Sequence, residues 1–305
     1  MSSGARQVAA GPRVAPLAQL VNDWLAACLR AAPKQIRQYR HVVETFAWQA
    51  GACVATDVTP AAVGTYLGRL RAMGQSTATL ANHGSALRLF GQWLKDTGRL
   101  PANPCASIRL KKPKPPPPNW LRPAEVAQVL ALADEAGCWP HVALAIGTGL
   151  RLGELRVIRW ADVDLPGRTL LVPVGGRTGK CRVVPLCNLA VDALTRQKAL
   201  TGHLQHAFPA RHTWRGGWAW IDRPAAPNTW FKLLRPIQQA MPAFARGLQA
   251  GSVGRGWHLA RHTFASVRAQ KGTSIYKISA WLGHSSLEMT KRYSHLQEGY
   301  DPDVE

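Results

Sequence analysis

A mainly helical chain of two domains, with one small antiparallel β-hairpin, is what this sequence predicts. Three observations carry the prediction. Apolar residues recur at three- and four-residue spacing through most of the chain. A basic proline-rich run, R-L-K-K-P-K-P-P-P-P at 109–118, divides it. A single pair of β-prone runs, Thr169 to Val174 and Cys181 to Leu186, flanks the loop Gly-Gly-Arg-Thr-Gly-Lys. With 305 residues the chain can bury two separate cores.

Residues 1–16 are rich in Gly, Ala, Ser and Pro and are expected to form a disordered arm. A first domain then spans 17–108. Leu20, Val21, Trp24, Leu25 and Cys28 set the first helix. Pro33 opens a second, carrying Ile36, Tyr39, Val42, Val43 and Phe46. Thr59-Pro60 reads as a cap and first-turn proline for a third, through Val63, Tyr66, Leu67 and Leu70. Ser76 or Thr77 opens a fourth, with Leu80, Leu87, Phe90, Trp93 and Leu94 inward, which completes a small bundle. Its basic residues Arg69, Arg71 and Arg88 lie in a run free of acids between Asp57 and Asp96, which favours contact with nucleic acid over a merely solvated face. The run 109–118 reads as an extended spacer rising about 3.1 Å per residue, with Lys111, Lys112 and Lys114 placed to lie along phosphates. Its prolines also admit a reading as a ligand for an aromatic groove.

The second domain is expected over 119–305. A proline-led helix begins at Pro123, and Trp139 to Ile146 forms a buried one. Leu152, Leu155, Ile158 and Trp160 make the next, and after the hairpin Asn188 caps a helix through Leu194. His203 to Arg223, rich in Trp and Arg, reads as irregular, and Trp230 to Ile237 as helical. His258, Arg261 and His262, at i, i+3 and i+4, fall on one helical face that ends near Gly272. Ile275, Ile278, Trp281 and Leu282 form a further helix, stopped at Gly283. His284 follows in the turn. A last helix, capped at Ser285 or Ser286, places Tyr293 about two turns in, nine residues past His284.

Thirty-eight Lys and Arg against 17 Asp and Glu give a formal charge of +21, which calls for a polyanionic partner. Between Asp164 and Glu288 only Asp192 and Asp222 are acidic, so no carboxylate cluster is available there for a magnesium ion. His258 and His262 share the spacing of a zinc motif, but Leu259 stands where its glutamate belongs. Val174 and Cys181 likewise break the phosphate-loop pattern around Gly175 to Lys180. No metal and no cofactor are expected. The six cysteines form no C-x-x-C pair and read as reduced thiols in a cytoplasmic protein, with Cys181 and Cys187 either facing one another across a strand or separately buried. No apolar run is long enough to span a membrane.

Three boxes in order carry a resemblance. They are G-T-G-L-R-L-G-E-L at Gly147 to Leu155, H-L-A-R-H-T-F-A at His258 to Ala265, and L-G-H-S-S with Tyr293-Ser294-His295 after it. Over roughly 119–296 the chain resembles the tyrosine recombinase (phage integrase) family, and within it the compact Xer-like and integron-type members. The first domain matches only in helix pattern. It would be the core-binding, SAM-like domain that grips the duplex, followed by the catalytic domain.

The resemblance implies a site-specific recombinase that cleaves and rejoins duplex DNA through a 3′-phosphotyrosyl link, acting in a bacterial cytoplasm near the nucleoid. Arg151 and Arg261 suit the non-bridging oxygens of a phosphodiester, since a guanidinium fork donates two hydrogen bonds. By resemblance Glu154 orients Arg151, His258 is the acid or base at the tyrosine step, and His284 donates to a phosphate oxygen. His262 orients its neighbours, and Tyr293 is the nucleophile. The family places a lysine in the β-hairpin to protonate the leaving 5′ oxygen. Here the common K-T-G-K-x-R reads R-T-G-K-C-R, so Arg177 replaces the first lysine and Lys180 remains the donor. The implied partners are double-stranded DNA, three further copies of the chain in a tetramer on paired sites, and accessory DNA-bending proteins. Two other readings stay open: a DNA-binding protein without catalysis, and a topoisomerase-like enzyme that only relaxes DNA.

Overall fold

The computed structural model describes residues 15–29, 31–108, 119–173, 181–214, 216–241, 244 and 256–296. The arm at 1–14, the spacer with Lys111, Lys112 and Lys114, and the loop 174–180 with Arg177 and Lys180 lie outside the described residues. By its internal packing the chain divides into two units, Met1–Pro115 and Pro116–Glu305.

The first unit holds α1 (Leu17–Ala27), α2 (Pro33–Ala50), α3 (Pro60–Ala72) and α4 (Thr77–Asp96). Local signals set the ends. Pro33 and Pro60 occupy first-turn positions where a missing N–H costs nothing. The Thr59 and Ser76 hydroxyls each accept from a backbone N–H three residues on, at 3.1 Å. Gly51 closes α2 in the left-handed region at φ 64°. The helices bury Leu20, Val43, Phe46, Leu87, Phe90 and Leu94, and Trp24 joins their core by packing on Tyr39 and Phe90, at 5.4 and 5.1 Å between ring centroids. Arg69, Arg71 and Arg88 are exposed. Arg69 donates to Gln49 O at 2.8 Å and Arg88 to Ile108 O.

The second unit is built around α6 (Trp139–Thr148), whose residues from Val142 onward are all buried. Against it pack α5 (Pro123–Glu135), α8 (Asn188–Thr201) and α11 (Gly256–Gln270). A three-stranded antiparallel sheet, β1 (Val163–Asp164), β2 (Thr169–Pro173) and β3 (Cys181–Pro185), lies in strand order. Its register pairs Leu170 with Val184 and Val172 with Arg182. Leu170, Val172 and Val184 face the core while Leu171 and Val183 face outward, the alternation a one-sided sheet requires. The remaining helices are α7 (Leu152–Leu155), α9 (Pro227–Leu233), α10 (Arg235–Ala240), α12 (Ile275–Leu282) and α13 (Glu288–Lys291).

Several expectations need correction. The stretch His203 to Arg223 is not irregular: it forms an antiparallel hairpin, β4 (Pro209–Trp214) with β5 (Gly217–Pro224). Its strands show no apolar-polar alternation because most of their residues are exposed on both faces, so the periodic signal is missing. Helix α7 is four residues long, leaving Ile158 and Trp160 beyond it. Asn188 is the first residue of α8, not its cap, and the helix runs past Leu194 to Thr201. The segment from Trp230 to Ile237 divides between α9 and α10. Neither Ser285 nor Ser286 caps α13, and Tyr293 lies past that single turn, its N–H bonded to Thr290 O at 3.0 Å. Cys181 is exposed and Cys187 half-buried with its thiol 3.4 Å from Gly147 O, so both are free. No described helix is long and apolar enough to cross a membrane.

A candidate phosphate site at the end of helix α12

The site assembles where α6, α11 and α12 meet, and a glycine permits the approach. Gly149 ends α6 at φ 65°, and a Cβ there would sit 2.6 Å from the Phe264 ring and 2.9 Å from Leu282. Both the turn and the close packing therefore require glycine. Two residues later Arg151 leaves that turn beside the end of α12.

Three arginines converge on the last carbonyls of α12. Arg182 Nε donates to Trp281 O at 2.8 Å. Leu282 O accepts from Arg151 Nη1 at 3.2 Å and from Arg261 Nη2 at 2.7 Å, and Gly283 O accepts from Arg151 Nη2 at 3.0 Å. Arg261 Nη1 also donates to Gly149 O at 2.8 Å, which ties α11 to the end of α6. Such carbonyls have no partner within their own helix and carry the negative end of its dipole, so guanidinium groups are well matched to them. Glu154 is the one carboxylate in this network. Its Oε2 accepts from the Arg151 backbone N–H and from Arg182 Nη2, both at 2.8 Å, and its Oε1 accepts from Arg151 Nη1 at 3.2 Å. Burial raises the Glu154 pKa, but the bonds from Arg182 and Arg151 outweigh it and hold the carboxyl below its usual range.

Three guanidinium groups against one carboxylate leave a surplus of positive charge. Arg261 is only 7% exposed, and burial with Arg151 nearby lowers its pKa to about 10, which still leaves it charged at neutral pH. Arg151 remains 39% exposed at its side chain and faces an open cleft of about 1000 Å³ that Arg182, Gly283 and His284 also line. An anion entering there meets the positive charge of Arg151 and Arg182, both held in place by backbone carbonyls.

The three histidines differ in setting. His284 Nδ1 lies 2.5 Å from the hydroxyl of buried Thr290. Burial first, then Arg261 and Arg151, lowers the His284 pKa to about 4, so it is neutral at pH 7. His258 is exposed, and its pKa is lowered by partial desolvation and by the same two arginines. His262 Nδ1 lies 2.5 Å from Tyr293 Oη, and burial followed by Arg292 and His258 lowers its pKa to about 4. This imidazole is therefore neutral at pH 7, and its tautomer sets which of the two groups donates. Tyr293 is 2% exposed, and burial raises its pKa against the opposing pull of Arg292 and Arg261. Its hydroxyl is thus held protonated against the His262 ring.

The structure therefore gathers Arg151, Glu154, Arg261, His262, His284 and Tyr293 in one region of the second unit, with His258 on the same face of α11. The tyrosine touches His262, not His258. Arg69, Arg71 and Arg88 belong to the first unit. Arg182 and Thr290 are additions that sequence reasoning missed. A signal for Arg182 was present, because in C-R-V-V-P it shares the inward register with Val184, an unusual place for arginine. Among the described residues no group of three metal-ligating side chains stands together.

Residues 119–299 match the model of the phage integrase family, and residues 22–98 match that of the phage integrase N-terminal SAM-like domain. The tyrosine recombinase XerC of Xanthomonas campestris pv. campestris (strain B100) is 30% identical over 233 residues, which cover 73% of this chain and 65% of that protein. The XerC of Shewanella amazonensis is 26% identical over 296 residues, 91% of this chain and 92% of the relative. Two solved structures share the fold. The Tn1549 transposon integrase in complex with a circular intermediate DNA has TM-score 0.70 and 17% identity, covering 91% of this chain and 94% of that one. A lambda integrase tetramer bound to a Holliday junction has TM-score 0.71 and 20% identity, covering 95% of this chain and 80% of that one.

Proposed function

Since this chain belongs to the phage integrase family, we propose that it is a site-specific recombinase that cuts and rejoins duplex DNA through a phosphotyrosyl link at Tyr293. The observation that carries the reading is the arginine cluster with its excess positive charge, beside a tyrosine hydroxyl 2.5 Å from a neutral imidazole. Tyr293 Oη attacks phosphorus, the bond from phosphorus to the 5′ oxygen breaks, and a 3′-phosphotyrosyl ester holds the strand for religation. Arg151 and Arg261 neutralise the non-bridging oxygens, with Glu154 orienting Arg151. The His284 ring edge turned away from Thr290 donates to one of those oxygens. His262 takes the phenolic proton, and His258 serves the same step from the solvent side.

The test is incubation with a suicide duplex whose cut strand cannot religate. An SDS-resistant protein–DNA adduct supports the reading. Its absence beside tight duplex binding would leave a DNA-binding protein without catalysis, and relaxation of plasmids that lack any special site would point to a topoisomerase-like activity. The DNA-bound structures among the similar folds, one of them a tetramer on a four-way junction, support duplex DNA and further copies of the chain as partners.

The leaving 5′ oxygen needs a proton. We assign this to Lys180 on the sequence pattern alone, because arginine at 177 hardly deprotonates. Lys180→Ala is expected to slow cleavage on the order of 100-fold, and a 5′-bridging sulfur, a better leaving group, should restore the rate. Absence of rescue reassigns the acid.

Arg182 acts as a positioning residue for Arg151. Its pair with Glu154 is almost fully desolvated, the two side chains being 9% and 13% exposed. Arg182→Met should destabilise the fold by about 3 kcal/mol in urea unfolding. Well below the melting temperature it should slow adduct formation on the order of 100-fold while leaving duplex affinity unchanged. A stability loss with an unchanged rate would make Arg182 a purely structural residue.

A further inference from the structure

The hairpin β4–β5 takes no part in the site above, yet it carries two exposed tryptophans, Trp214 and Trp218. In its register Arg211 stands opposite Trp220 and Thr213 opposite Trp218, so these four share one face, while His212, Trp214 and Ile221 occupy the other. Trp218 and Trp214 are 48% and 53% exposed. The Arg211 guanidinium lies 4.2 Å from the centroid of the Trp218 ring, and Trp220 meets that ring edge-on at 5.2 Å. On the opposite face His212 stacks along Trp214 at 6.0 Å.

An isolated two-stranded hairpin is marginal in water, and this one is held at its root. Ala207 N–H donates to Ile158 O at 2.9 Å, and buried Phe208 packs on His141 and Trp230 at 4.7 and 5.3 Å. Asp222 accepts from the backbone N–H groups of Gln205 and His206 at 2.9 and 3.0 Å, and its Oδ1 lies 2.9 Å from the His206 ring. The hairpin's one carboxylate among the described residues is thereby committed to the root. What projects beyond it is cationic and aromatic.

We propose that this hairpin is a stacking platform for unpaired nucleotides, with Trp218 presenting its ring to a base and Arg211 serving both as its stacking neighbour and as a cation for the adjoining phosphate. The proposal rests on the recombinase reading and deepens it, by giving the catalytic unit a second nucleic-acid contact away from the scissile phosphate. A ring beside a guanidinium, without base-specific hydrogen-bond donors aimed at one edge, accepts any base that is out of its stack, since every base offers a π-face. Regular duplex keeps its bases stacked on one another and offers such a ring little. Charge decides between nucleic acid and an apolar protein partner: Arg211 and Arg223 are exposed, the Asp222 carboxylate is bonded back to the root, and the chain carries +21.

Fluorescence anisotropy with labelled oligothymidylate and with a fully paired duplex of equal length, at one fixed salt concentration, tests it on the full chain. Trp218→Ala should weaken oligothymidylate binding about tenfold, Trp218→Phe should recover most of that loss, and duplex affinity should stay within about twofold of wild type. Arg211→Ala should weaken oligothymidylate binding and lower its salt dependence. Thermal melts that match wild type confirm intact folding, as expected for exposed positions. Equal affinity of Trp218→Ala and wild type for oligothymidylate overturns the proposal. So does a loss of equal size on both DNAs, or a change confined to self-association in sedimentation, which would make the face a protein interface. If wild type forms the covalent adduct and the hairpin variants bind as it does, this inference alone fails. If wild type binds neither DNA, the recombinase reading fails with it.

Discussion

Tyr293→Phe is expected to abolish the covalent DNA adduct while leaving the fold and DNA affinity nearly intact. Removing the hydroxyl deletes the attacking atom, and loss of a catalytic nucleophile lowers rates on the order of 10^4 to 10^6. The ring itself packs with Phe264, Ala265, Ile278 and Leu282 in a small core that phenylalanine fills equally well. The substitution also leaves His262 Nδ1 without its 2.5 Å partner. That cost is modest, because the ring can turn or take up water, so stability should fall by about 1 kcal/mol. Denaturing gels after incubation with a suicide duplex read the adduct, gel shifts read affinity, and urea unfolding reads stability. An adduct of wild-type yield in the variant would move the nucleophile to another residue, with Tyr276, 73% exposed beside the arginine-lined cleft, the first to examine.

Arg261→Ala is expected to damage both fold and chemistry. The side chain spans two buried acceptors, Gly149 O and Leu282 O, and its loss leaves both without that donor. Each unpaired buried carbonyl costs about 1–3 kcal/mol, and partial compensation by Arg151 at Leu282 O reduces the sum. Adduct formation should drop on the order of 10^2 to 10^3, the usual effect of removing one donor to a transition-state oxyanion. Arg261→Lys is the sharper test. It keeps the charge but cannot bridge two carbonyls and a phosphate with a planar fork, so the rate should stay depressed while stability partly returns. Single-turnover cleavage and urea unfolding, measured on both variants, separate the two effects. Full activity in Arg261→Lys would reduce the arginine's role to that of a point charge.

The placement of these side chains was largely legible along the chain where it depends on one element alone. Helical spacing puts His258, Arg261 and His262 on one face of α11, and Gly283 ends α12 just before His284. Glu154 reaches back to the Arg151 N–H over three residues, a bond of the kind such spacing foretells. The four helices of the first unit were readable for the same reason: proline starts, hydroxyl caps and apolar periodicity all act within a turn or two.

The stretch His203 to Arg223 was not readable, since a hairpin exposed on both faces lacks the alternation that burial imposes. Tyr293 was placed too deep in a helix, because its ring and Thr290 turn inward beneath His262 and His284 and interrupt the helical pattern there.

By itself, then, the sequence determined which residue types stand on which helical face, where helices end, and that the chain carries a large positive charge. Tertiary structure alone decided that Arg182 locks Glu154 across 28 residues, that Arg261 bridges to Gly149 across 112, and that His262 and not His258 meets the tyrosine. The reason is physical. Local spacing fixes directions over a few ångströms of one element, whereas bonds between distant elements exist only once packing brings them together, here where Gly149 admits Phe264 and Leu282 against the end of α6.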